Sequence, residues 1–259
     1  MIEVANTENL TGVTISGDFY DLDQLVNALY EITISDMEEV DRKSERFINI
    51  SYRVLGICYD IRHASQGDRE IFTLRNGITD FHKETRGMIV PSHNVYYSCN
   101  ILYPEMIINQ IALNELIQHR IAQLVKPRYT YDAHLDKKII WDQSIAVIRM
   151  LQSAFQKAVS EILSKPSFTR WMNLVNDKHI GIYNITNPFV SSWNLKYIEM
   201  SKEERQKKLV TVTKHLVEFY EDTENQNYRT AINDAIRDQG WYEPNIRFEG
   251  LEYPEEIEW

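Results

Sequence analysis

The densest run of groups able to do chemistry is Tyr59-Asp60-Ile61-Arg62-His63-Ala64-Ser65-Gln66-Gly67-Asp68-Arg69-Glu70. On a helix, Asp60 and His63 fall one turn apart on a shared face. A carboxylate there can orient the imidazole as a general base, while Arg62 or Arg69 can hold an anion through a planar guanidinium fork. With Asp68 added, these residues outline an enzyme acting on an anionic small molecule or nucleotide, His63 being its base and Asp60 the group that orients it. An architectural reading fits the same run. His63 would sit in a last helical turn, where the helix dipole favours a cation; Gly67-Asp68 would turn helix into strand, and Arg69 would pair with Asp60 or Glu70.

Glu115 and His119, four residues apart, form a second pair. That spacing can supply two metal ligands, but it is also the spacing of an ordinary intrahelical ion pair, and no third or fourth ligand accompanies it. The other histidines are scattered, without HExxH or zinc-type CxxC, and no Walker loop, GxGxxG or GxSxG occurs. No metal and no cofactor is expected. Nine glycines in 259 residues also weigh against a glycine-rich phosphate loop.

The third feature is the last stretch, 241–259, in which six glutamates face Arg247 alone, half of the chain's net charge of −10. It also carries Trp241, Tyr253 and Trp259, so it should pack onto this chain or onto a partner. An acidic balance without a cluster of Lys and Arg excludes binding to duplex nucleic acid. Cys58 and Cys99 lie in apolar stretches and read as buried, reduced thiols. The start MIEVANTENLTG lacks the pattern of a signal peptide. No run of about 18 apolar residues exists to cross a membrane. The expectation is a soluble cytoplasmic protein.

These groups are positioned by elements readable from periodicity. Residues 2–4 and 12–17 read as short strands, Val13 and Ile15 alternating with Thr14 and Ser16. A helix is expected from Asp21, with Gln24 completing a capping box and Leu22, Leu25, Val26 and Leu29 as its buried stripe. The charged run 36–46 suits a surface turn. Residues 47–65 suit a buried helix closed by Gly67. REIFTLR reads as a strand, Asn76-Gly77 as a tight turn and 94–102 as another strand. Pro104 opens a helix, to about Val125, that is apolar on nearly every side and therefore central. The longest helix is expected at 136–164, with Trp141 on its buried face and Pro166 as its stop. A short helix near 167–175, an irregular stretch 177–200, a capping box at Ser201 and Glu204, and a last helix 226–239 follow.

At YDIRHASQGDRE (59–70), NILYPE (100–105) and EYPEEIEW (252–259) the chain resembles a family of bacterial proteins of similar length, a domain of unknown function. The resemblance spans the whole chain, implies a bacterial cytosolic origin and transfers no catalytic residue.

The fold expected is α+β: a small N-terminal strand and helix portion with a β-hairpin, then a helix-dominated C-terminal half. Residues 1–125 and 126–259 form two portions on one core. Functionally, the missing catalytic motifs and the acidic aromatic tail point to a protein-binding or self-associating accessory subunit, of the kind found in conflict, toxin-neutralising or phage-defence systems. The enzyme centred on His63 is the alternative.

Overall fold

The computed structural model describes residues 1–34, 44–125, 133–177, 180–239, 246 and 248–259. Most of the charged run after Ile34, residues 126–132, and Gly240 and Trp241 lie outside them. Four antiparallel strands, β1 (Glu3–Asn6), β2 (Gly12–Gly17), β3 (Glu70–Arg75) and β4 (His93–Leu102), form one sheet in the order β1-β2-β4-β3. The alternation in β2 does what its spacing demands: Val13 and Ile15 are fully buried, and Thr14 and Ser16 lie on the other, wetter face. Gly12 is required where β2 crosses β4, because a Cβ there would come within 2.0 Å of the Ile101 carbonyl oxygen.

The helices are α1 (Phe19–Ile32), α2 (Ile48–Ser65), α3 (Asp80–Arg86), α4 (Tyr103–Leu124), α5 (Lys137–Ile140), α6 (Gln143–Ile162), α7 (Lys165–Val175), α8 (Asn187–Ile198), α9 (Lys202–Val217) and α10 (Thr223–Gln239). Leu22, Leu25, Val26 and Leu29 of α1 are buried as expected, but the helix begins two residues before Asp21. Its capping box is Asp18 with Asp21, not Asp21 with Gln24. Ile50, Val54, Ile57 and Ile61, three and four apart, put one face of α2 into the core, and Gly67 takes the left-handed conformation just past its end (φ 88°). Asn76-Gly77 is a turn (Gly77 φ 81°), yet β3 and β4 are not joined by a tight hairpin; α3 lies between them. Pro104 occupies the first turn of α4, the 22-residue helix at the centre of the core.

The segment expected as one long helix at 136–164 is broken. Asp142 accepts from the amide of Ile145 and starts α6 afresh, and it is held by Arg120 of α4 at 2.9 Å. Trp141 therefore sits in the break, 83% exposed, rather than on the buried face that Ile148, Leu151, Phe155 and Val159 make. Pro166 opens α7 instead of ending α6. Part of the stretch expected to be irregular is α8, whose buried side includes Ser192 and Asn194 beside Phe189 and Val190. The Ser201 and Glu204 capping box opens α9 as expected. One hydrophobic cluster runs from Val13 and α1 through α4 and α6 to Phe219. Among the described residues no helix is long and apolar enough to cross a membrane.

Candidate functional site

The polar run at 59–70 folds into the corner between α2 and β3, but its pairs differ from the expected ones. Asp68 closes the turn, its amide donating to the His63 carbonyl at 2.9 Å. That turn swings the Asp68 carboxylate to 2.9 Å from His63 Nδ1. Asp60, the expected orienter of His63, instead accepts from Arg69 Nη2 at 2.8 Å, as the architectural reading allowed. Donating this hydrogen bond to Asp60 raises the Arg69 pKa above its ordinary value. The His63 ring leans on Tyr59, its centroid 4.1 Å away. Arg62 points toward α1, donating to the Tyr30 hydroxyl at 3.1 Å. The expected anion pair is thus divided, with Arg69 spent on a carboxylate and Arg62 on a phenol.

Beside this corner lies a cleft of about 750 Å³. It opens where β3 begins: the β3–β4 register ends at Glu70 opposite Ser98, so among the described residues Cys99 to Leu102 have no strand on that side. Asp60, Asp68, Arg69 and Glu70 line it together with Tyr253 and Trp259, and Glu105 and Asn194 lie in its floor; His63 and Arg62 are not part of the lining. Glu105 is the hub of the floor. It accepts from Arg53 Nη2 at 2.5 Å, Asn109 Nδ2 at 2.9 Å and Asn194 Nδ2 at 3.0 Å. Asn194 Nδ2 also donates to the Tyr253 hydroxyl at 2.9 Å. With Arg69 on Asp60 and Arg53 on Glu105, Asp68 and Glu70 leave the lining acidic, which suits a cation or a hydrogen-bond donor better than an anion. Glu105 and Asn109 stand one turn apart on α4, but nothing in the spacing joins them to Arg53 and Asn194, which reach Glu105 only after α2 and α8 pack against α4.

Both cysteines are buried and free; burial pushes the Cys58 thiol up to about 11 and Cys99 to about 12, so both stay protonated and unreactive at neutral pH. The Glu115–His119 helix turn has a different role. His119 packs on Phe47, centroids 4.5 Å apart, with Nε2 beside Gln123 and Ser44. No three His, Cys, Asp or Glu side chains converge as metal ligands among the described residues.

The described part of the acidic tail packs on its own chain. The main-chain oxygen of Trp259 accepts from the backbone and side-chain amides of Asn9 at 3.0 Å, and Thr11 Oγ1 donates to the Glu258 carbonyl. Phe248 meets Tyr228 edge to face. Arg205, 5% exposed, sits behind this junction. Its guanidinium donates to the carbonyls of Asn9, Tyr197 and Ile198 and to Thr11 Oγ1, at 2.6 to 3.1 Å. Of the aromatic residues expected to meet a partner, Tyr253 and Trp259 therefore face the cleft, and Trp241 lies outside the described residues.

A second surface was not foreseen. Residues 70–96 form an arm of β3, α3 and the first half of β4, and α3 buries no residue at all. Ile71 and Leu74 are each 52% exposed, Phe81 69% and Ile89 fully, with Phe72, Val90 and Val95 also exposed. Phe72 stacks on Tyr96 across the β3–β4 pair at 5.7 Å. β3 is an edge strand, with no strand on its outer side among the described residues.

No curated protein and no solved structure matches this chain. A family model, described as a domain of unknown function (DUF6904), matches residues 2–259. With its α+β fold, an N-terminal antiparallel sheet and a helical second half, the chain belongs to the DUF6904 family.

Proposed function

We propose that this chain is a protein-binding module whose interface is the arm of residues 70–96, not the acidic tail. The observation that carries the reading is seven large apolar side chains left exposed within this one arm: Ile71, Phe72 and Leu74 on β3, Phe81 on α3, Ile89 and Val90 before β4, and Val95 on β4. Each Val, Leu, Ile or Phe kept in water forgoes roughly 1.5–3 kcal/mol of burial free energy. A concentrated patch of this kind on a folded chain is the mark of an interaction surface. A bare edge strand adds unpaired main-chain donors and acceptors that can template a further strand.

The test is photo-crosslinking in the native host at native expression, with benzoylphenylalanine replacing Phe81 in one strain and Lys207, exposed on α9, in another. A discrete crosslinked protein from position 81, with none from 207, supports the interface. Absence of any adduct from position 81, and from Val95 in a third strain, sinks it.

The cleft favours a second reading, a site for a small ligand, because Asp60, Asp68, Glu70 and Glu105 share a concave lining with a single arginine. The charge supports a cationic or donor-rich ligand rather than the anion first expected. Titration calorimetry with agmatine against citrate separates the two signs. Saturable citrate binding, abolished by Arg69→Gln, would restore the anionic reading.

A further inference from the structure

The arm carries its own complement. We propose that its partner is a second copy of this chain, joined by antiparallel pairing of β3 with β3 about a two-fold axis. This rests on the interaction reading above and names the occupant.

Charge favours the self-pairing. At the start of β3, Asp68 and Glu70 flank Arg69, with Asp60 beside them; its last residue is Arg75, and the charges of α3 beyond it (Asp80 and Glu84 against Lys83 and Arg86) cancel. Antiparallel pairing lays the acidic end of one strand along the basic end of its mate, and a two-fold axis makes that match twice.

Symmetry and pleat also restrict the register. A two-fold perpendicular to the sheet keeps each residue on its own face, so paired residues must both be odd-numbered or both even-numbered. Centring the axis on Thr73 sets Phe72 opposite the partner's Leu74 on one face and Ile71 opposite the partner's Arg75 on the other. Centring it on Phe72 brings Arg69 opposite the partner's Arg75, a like-charge pair that destabilises a sheet. Centring it on Leu74 sets Phe72 opposite the partner's Asn76 and Ile71 opposite the partner's Gly77, which leaves Leu74 against its own copy as the one apolar match. The Thr73 register keeps the most apolar pairs, Phe72 against Leu74 on both sides of the axis, without opposing arginines.

Sedimentation equilibrium of the full chain, with Leu74→Lys beside wild type, tests the dimer. Wild type should be dimeric at micromolar concentration, and Leu74→Lys should weaken the dimer at least tenfold with an unchanged circular dichroism spectrum. Register is read by Thr73→Cys, Phe72→Cys and Leu74→Cys under mild oxidation. Only the first should form an intermolecular disulfide quickly, since it alone faces its own copy; buried Cys58 and Cys99 give little background. A wild type monomeric throughout, or a dimer indifferent to Leu74→Lys and closed by none of the three cysteines, overturns the self-pairing. A heterologous adduct from position 81 in the crosslinking experiment would then leave the interaction reading standing with another occupant. Absence of any adduct would remove both.

Discussion

The sheet has two edges, and the chain treats them in opposite ways. At β1, α6 lies against the strand, and Asn6 ties the two together: its side-chain amide donates to the Ala158 carbonyl at 2.9 Å and its oxygen accepts from the Tyr103 hydroxyl. The neighbouring β1–β2 turn is clamped by Arg205 and by the tail through Asn9 and Thr11. At β3, among the described residues, no strand pairs with the outer edge, and all six residues of the strand are exposed. A chain that spends a buried arginine and its own last residues on one edge, and leaves apolar side chains along the other, has the means to cover an edge. The bare edge is therefore read as a surface held open for a partner, in keeping with the ways natural sheets protect edges that have no role.

The largest effect expected from breaking the comparison is at the covered edge. Arg205→Ala removes a buried cation that joins α8, α9 and the β1–β2 turn, and leaves the carbonyls of Asn9, Tyr197 and Ile198 short of a donor. The cost should be about 3–5 kcal/mol, read as a lower midpoint in urea. A change below about 1 kcal/mol would show that the tail junction holds without it. Asn6→Ala should cost less, about 1–3 kcal/mol, because it strands the buried Tyr103 hydroxyl beside α6. Equal stability of wild type and Asn6→Ala would mean that the α6 cover contributes nothing.

A pH effect comes next in size and lies away from both edges. Glu224 of α10 is partly buried, which on its own would raise its pKa. Hydrogen bonds from Lys196 and Ser192 outweigh the burial and hold the carboxyl below its ordinary 4.5. A depressed folded-state value means that its stabilisation is complete above 4.5 and is lost as pH falls through the lower folded-state value. Glu224→Gln should therefore flatten the acid limb of the stability curve below about pH 4.5 relative to wild type. An acid limb of unchanged slope would place the dominant titration elsewhere.

Much of the fold was legible because its cues are local. The alternation in GVTISG, the capping box at Ser201 and the glycine after α2 each act within a few residues. The misreadings have non-local causes. Asp142 starts a new helix because Arg120, 22 residues earlier, is there to hold it, and α8 hides among Ser and Asn residues whose burial depends on hydrogen bonds to Glu105 and Glu224. The candidate site was half legible: Asp60, Asp68 and Arg69 do reach the cleft, but Glu105 and Asn194 enter it from elements distant in sequence. EIFTLR was readable as a strand but not as a bare one. A strand apolar on both faces carries the pattern of an interior strand, and the same pattern serves when the missing cover is another molecule.

The smallest expected effect is the sharpest on the comparison. Phe81→Ser alters an exposed side chain of a helix that buries nothing, so the stability of a chain kept monomeric by Leu74→Lys should move by no more than about 0.5 kcal/mol. The same change in wild type should weaken association if α3 touches the partner beside β3. Hydrogen exchange supplies the counterpart: in the Leu74→Lys background the β3 amides facing outward should exchange rapidly, and in wild type they should be protected in a concentration-dependent way. If β3 is equally protected in both, the edge is sealed within the single chain, and the contrast between the two edges disappears with it.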